Sequence, residues 1–158
     1  MTTDTLFAQR TDKAALETGH DFAPKFDEHG LIPCITQHAD TGEVLMFAFM
    51  NDLALTQTIA TGMVHYWSRS RNKLWLKGES SGMTQTVVQL LTDCDQDALV
   101  ARVTLGKATT GGAQASCHVG YRNCFYRAVP TGKLPDQTPV QMKTVGEKAF
   151  DPNEVYGS

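Results

Sequence analysis

Leu31-Ile32-Pro33-Cys34-Ile35-Thr36-Gln37, then Asp40-Thr41-Gly42, then Val44-Leu45-Met46-Phe47-Ala48-Phe49-Met50, is the stretch on which the fold reading turns. Two apolar runs flank a cluster of turn formers, the pattern of two strands joined as a hairpin. Asn51 follows, a residue whose side-chain oxygen can accept from the free N–H groups of a helix start, so a helix is expected from about Asp52 to Ala60. Gly62 stands just past its end as a stop, and Leu53, Ile59 and Leu55 are its expected apolar contacts against a sheet.

Outward from this stretch, Val64–Arg69, Leu74–Lys77, Thr84–Thr92 and Ala98–Leu105 are rich in β-branched and aromatic residues and separated by turn formers, so the middle reads as mainly β. Gly106–Ala115, with Thr109-Thr110-Gly111-Gly112, is expected to be a loop, and Cys117–Val129 resumes as a β-rich segment. Upstream, Lys13–Thr18 reads as a short helix that Gly19 stops in a left-handed conformation. The expected fold class is α+β, predominantly antiparallel β with one or two short helices. Residues 1–29 read as an N-terminal extension outside the core and 30–129 as the functional domain. Residues 130–158, which hold Pro130, Pro135, Pro139 and Pro152, read as a C-terminal tail or surface wrap.

The 158 residues are 41% hydrophobic and 20% charged, an ordinary globular composition for one domain. A net charge of -3 offers no broad attraction for a polyanion, so nucleic acid is a poor partner and any phosphate must meet a local site. Met1-Thr2-Thr3-Asp4 lacks a basic region followed by an apolar run, and no later segment has the apolar length that spans a bilayer, so a cytoplasmic location without a membrane partner is expected. Cys34, Cys94, Cys117 and Cys124 then read as free thiols or metal ligands rather than disulfides. Cys34, inside an apolar run, reads as a buried structural thiol.

Asp93-Cys94-Asp95-Gln96-Asp97 places three carboxylates at alternate positions around one thiol. Such groups repel and raise one another's pKa, and a hard divalent cation, magnesium by preference, relieves the repulsion; the plain alternative is an acidic turn facing water. In Cys117-His118-Val119-Gly120-Tyr121-Arg122-Asn123-Cys124, two thiols bracket an imidazole, with Gly120 free to turn the backbone between them. Zinc prefers thiolate and imidazole ligands, and a catalytic zinc keeps three protein ligands and an open position. Cys94, Cys117 and Cys124 supply that count, although paired cysteines in a β-rich segment are also common as buried thiols.

The acidic motif through Leu99, followed by Ser116–Arg127, closely resembles the signature of the phosphoribosyl-AMP cyclohydrolases of histidine biosynthesis. The resemblance extends through Gly42–Met46, Tyr66–Arg71 and Leu74–Glu79, covering roughly Gly30 to Val129. It implies magnesium on Asp93, Asp95 and Asp97, and zinc on Cys94, Cys117 and Cys124. It also implies an intertwined homodimer with metal sites at the interface, one zinc cysteine coming from one subunit and two from the other. The implied reaction is hydrolysis of the N1–C6 bond of the adenine ring of 1-(5-phosphoribosyl)-AMP by a zinc-activated water. Ser80-Ser81-Gly82-Met83 departs from the pattern, because typical members end this stretch in histidine.

His118, beside Cys117, is the expected proton carrier, since imidazole titrates near neutral pH. Arg69, Arg71, Lys77 and Arg122 are the expected phosphate contacts, and Trp67 a stacking residue. A nucleobase deaminase is disfavoured because no H-x-E or P-C-x-x-C element is present. A structural zinc module closed by His118, or a Cys117–Cys124 redox pair, are the other classes the thiols allow.

Overall fold

A computed structural model describes residues 6–157. The opening stretch folds as the expected hairpin: β1 (Ile32–His38) pairs antiparallel with β2 (Val44–Met50), Ile32 opposite Met50 and Ile35 opposite Phe47. Ile32, Cys34 and Thr36 point to the core in strict alternation, and Gly42 closes the turn at φ 78°. β5 (Gln85–Thr92) and β6 (Leu99–Leu105) form a second antiparallel pair on either side of the acidic turn, and the four strands are ordered β2-β1-β6-β5. The expectation of mainly antiparallel pairing holds with one exception, since β6 lies parallel to β1 with Cys34 beside Leu99. Leu99, Ala101, Val103 and Leu105 all face inward. Each fully buried Leu or Val of this row contributes about 1.5–3 kcal/mol.

The helix α2 (Asp52–Thr61) is capped by Asn51, whose side chain accepts from the Ala54 N–H, and ends at Gly62 with φ 72°. Its inward face differs from the expected one: Leu53 and Ile59 are 47% and 43% exposed, and Ala54, Leu55 and Thr58 are buried. Thr58 serves in the core because its hydroxyl donates to the Ala54 carbonyl and accepts from the His65 N–H at 2.9 Å. That bond ties the helix to β3 (His65–Ser68), which pairs with β4 (Lys73–Leu76).

The N-terminal segment is more than an extension. α1 (Lys13–Thr18) forms as expected, but Gly19 after it is extended, with φ -77°. Glycine is needed there for room rather than handedness, because a Cβ would fall 2.4 Å from the Ala15 carbonyl oxygen. Ala23 is buried, and Phe7, Phe22 and Phe26 pack against the core, so this segment closes one side of it.

Cys117–Cys124 is irregular turn rather than strand; regular pairing returns only at β7 (Arg127–Ala128), which meets β8 (Lys143–Thr144). The reason is where its backbone groups go: Cys124 N–H donates to the Leu45 carbonyl, Ser116 N–H to that of Arg122, and Gly120 N–H to that of Cys117. A short helix, α3 (Pro152–Tyr156), is the last element among the described residues. Among the described residues no helix is long and apolar enough to cross a membrane.

Candidate active site and metal centre

The β5–β6 connection brings Asp93, Asp95 and Asp97 together, with one ligand atom of each within 4.8 Å of the others. Gln96, at φ 57°, makes the turn, and its buried side chain accepts from the Ala23 N–H at 2.8 Å and donates to the Leu16 carbonyl at 3.0 Å. The N-terminal segment therefore holds the acidic turn from below, and Arg10 adds a bond to the Asp95 carbonyl at 2.9 Å. Asp93 Oδ1 accepts from the N–H groups of Asp97 and Ala98 at 2.9 and 3.1 Å. Desolvation pulls the Asp93 carboxyl upward, but hydrogen bonds with Asp97 and Asp95 and from the backbone hold it below its ordinary value. Asp97 is pushed up to about 6 by hydrogen bonding to Asp93 and Asp95, with their charges adding to it. Three crowded oxygen donors of this kind suit a hard cation.

Cys117 and Cys124 meet across the turn made by Gly120, their side chains within hydrogen-bonding reach. Burial pushes the Cys124 thiol up to about 12, the neighbouring Cys117 adds to this, and the Lys77 ammonium works against it. Lys77 is itself buried and donates to the Ser116 carbonyl at 2.9 Å. Burial lowers its pKa, while both thiols pull it back up. Cys94 does not join them: it is exposed beside the acidic turn, and among the described residues that turn is the one cluster of three or more His, Cys, Asp or Glu groups close enough to share an ion. Cys34 is fully buried in the main core, as expected, and burial pushes it up to about 12.

A cavity of about 700 Å³ opens beside Cys124. Of the expected site residues, Arg71, Lys77, His118 and Cys124 line it. Trp67, Arg69 and Arg122 do not. Trp67 is half-buried opposite Leu74 in the β3–β4 ribbon, and Arg69 stacks its guanidinium 4.3 Å over the Phe49 ring. Arg122 is ion-paired with Glu43, to which Asn123 also donates at 2.8 Å. The remaining wall includes residues that the sequence reading passed over, among them Lys73, Trp75, Ser81 and Tyr156.

Behind the cavity runs a buried polar chain that was also missed. The Thr36 hydroxyl meets the Tyr66 hydroxyl at 2.5 Å, Tyr66 donates to Gln85 Oε1 at 2.6 Å, and Gln85 Nε2 donates to the Ser116 hydroxyl at 3.1 Å. Every member is buried, so the chain fixes Ser116, and with it the start of the Cys117 turn, to β1, β3 and β5. The signal was present in the sequence: Thr36 and Gln85 are polar residues in the inward phase of their strands. Met83 is fully buried in a separate cluster with Ala108 and Ala115, under Phe150 and Val155.

A family model described as phosphoribosyl-AMP cyclohydrolase matches residues 46–126, just over half of the chain. The phosphoribosyl-AMP cyclohydrolase of Caulobacter sp. (strain K31) is 53% identical over 137 residues, covering 87% of this chain and 98% of that protein. The protein of that name from Rhizobium leguminosarum bv. trifolii (strain WSM2304) is 48% identical over 153 residues, covering 96% and 97%. A third, from Methanococcoides burtonii, is 54% identical over 132 residues, covering 84% and 94%. With such identity over nearly the whole of each relative, the chain belongs to the phosphoribosyl-AMP cyclohydrolase family, hydrolases of C–N bonds in histidine biosynthesis.

Proposed function

We propose that the cavity beside Cys117 and Cys124 binds 1-(5-phosphoribosyl)-AMP and hydrolyses its N1–C6 bond, giving the phosphoribosyl-formimino aminoimidazole carboxamide ribonucleotide. The observation that carries this reading is the convergence, in one 700 Å³ cavity, of a thiol ligand, an imidazole and a cationic wall. Water adds at C6, the N1–C6 bond breaks, a proton ends on N1, and C6 becomes the carboxamide carbon.

The donor sets fit the two metals. Cys117 and Cys124 supply two soft ligands, Cys94 the third, and Asp93, Asp95 and Asp97 the hard oxygens for magnesium. Zinc bound to these thiols would supply water activation, since such an ion lowers the pKa of a coordinated water from 15.7 toward ~7. His118, exposed at the cavity wall, would take up or deliver the proton that passes between the attacking water and N1. Arg71, with Lys73, binds phosphate; Lys77 acts from beneath by holding the Ser116 carbonyl while still reaching the cavity wall. Arg69, Arg122 and Trp67 stand outside that wall and would contact substrate only through its outlying phosphoribosyl group.

The site is completed by a homodimer, Cys94 of one chain joining Cys117 and Cys124 of another. Two observations support this: Cys94 does not reach the thiol pair in its own chain, and the outward face of the sheet carries the cross-strand row Phe47–Ile35–Val100–Leu91. Phe47, Ile35 and Leu91 are 47%, 38% and 41% exposed, an apolar row of the kind that marks an interface. A cytoplasmic location accords with such an enzyme.

Ultraviolet absorbance of purified protein with phosphoribosyl-AMP, zinc and magnesium tests the reaction, because ring opening changes the purine chromophore. Turnover by the wild type that is lost in Cys117→Ala supports it. Stoichiometric zinc without any turnover would instead make the thiol site a structural one.

A further inference from the structure

The chain beyond residue 142 returns to the cavity. Val145 and Gly146 N–H donate to the Tyr126 carbonyl at 2.8 and 3.2 Å, and Ala149 and Phe150 N–H to that of Gly120 at 2.7 and 3.2 Å. Gly120 lies between the two thiols at φ 109°, where a Cβ would fall 2.5 Å from the Phe150 carbonyl oxygen. The C-terminal segment thus packs on the thiol turn too closely to admit any side chain at that position. Phe150 and Val155 then cover Met83, and this anchoring carries Tyr156 to the cavity wall shared with Trp75, His118 and Cys124. The Phe150 ring stands 6.0 Å from that of Tyr156, so one side of Tyr156 is backed by protein. The residue remains 46% exposed, and so is open to contact from the cavity.

We propose that Tyr156 is a substrate-contacting residue whose ring packs against the purine, so that the C-terminal segment is a wall of the active site. This rests on the proposed cyclohydrolase reaction. The purine is the part assigned to it because His118 and Cys124 must face C6 and N1, while Arg71 and Lys73 hold the charged groups. A neutral phenol ring offers a phosphate one hydrogen bond at most, but offers a planar base an extended apolar face. Met83 belongs to the same device, as the apolar floor on which the segment rests.

Steady-state kinetics on phosphoribosyl-AMP with Tyr156→Ala, Tyr156→Phe and a chain ending at Asp151 test the proposal, alongside zinc content and Tm. Tyr156→Ala and the shortened chain are expected to raise KM about tenfold with kcat changed by less than about twofold. Tyr156→Phe is expected to keep KM within about twofold of wild type, with zinc content and Tm unchanged in both substitutions. Wild-type KM in Tyr156→Ala, equal impairment of Tyr156→Phe, or loss of zinc from Tyr156→Ala would each overturn the contact while leaving the proposed reaction standing. No turnover by the wild type would remove the reaction and this contact together.

Discussion

Ser116, which leads into Cys117, is gripped on three sides: Lys77 holds its carbonyl, Gln85 its hydroxyl and the Arg122 carbonyl its N–H. The acidic turn at Asp93–Asp97 stands in solvent, with Asp93 and Asp95 exposed, and is rooted in the protein through the buried Gln96 side chain and the Arg10 bond to the Asp95 carbonyl. The thiol pair is placed by a buried scaffold that has no slack. The carboxylates are placed by a turn whose charges oppose one another. Cys94 is on the second of these elements, although the proposed zinc site assigns it to the first. On the reading proposed above, each chain would present two complementary parts of a metal centre rather than one complete centre, the arrangement a closed two-fold assembly can use.

The largest effect that would break this comparison comes from the thiols. Cys94→Ala and Cys117→Ala should each lose turnover by more than about a hundredfold and fall below stoichiometric zinc, measured by atomic absorption. Next is the scaffold. Gln85→Leu leaves the Tyr66 and Ser116 hydroxyls without their partner and should cost about 1–3 kcal/mol in urea unfolding, with zinc affinity reduced about tenfold. Wild-type zinc affinity in a destabilised Gln85→Leu would mean that the buried chain serves the core alone.

The acidic turn should answer with opposite signs at two neighbouring positions. In metal-free protein Asp97→Asn should raise the urea midpoint slightly, because it removes repulsion from the cluster. Asp93→Asn should lower it, because Asp93 Oδ1 accepts two backbone N–H bonds. Both should weaken magnesium, about tenfold by calorimetry. The smallest effect separates the arginines. Arg71→Ala should raise KM about tenfold, while Arg122→Ala should leave KM nearly unchanged and cost only about 0.2–1 kcal/mol for its exposed ion pair.

What was legible in the sequence is what local chemistry decides. Asn51 and Gly62 bracket α2 by their own capping propensities, and Asp40-Thr41-Gly42 turns the hairpin whatever surrounds it. The clustering of Asp93, Asp95 and Asp97 and the meeting of Cys117 with Cys124 were legible for a similar reason, because each set lies within one short turn of the chain. What was hidden depends on partners far along the chain. Alternating apolar residues in β6 do not say that its neighbour β1 runs parallel. Leu53 looked like a core residue and is 47% exposed, since the helix's rotation is set by Thr58 bonding to β3. Phe22 and Ala23 lay in a segment that looked peripheral, and the partners that bring it in are distant ones, among them Gln96, 73 positions away from Ala23. Tyr156 lay in a stretch read as a tail, where nothing periodic announced the hydrogen bonds that return it to Gly120.

Mixing two inactive variants tests the division of the metal centre most directly. Cys94→Ala and Cys117→Ala, unfolded together and refolded at equal concentration with zinc and magnesium, should recover about a quarter of wild-type turnover. Random pairing makes about half of the dimers mixed, and each mixed dimer carries one intact site out of two. No recovery above either variant alone, with dimers formed, would contradict the account and return all three cysteine ligands to a single chain.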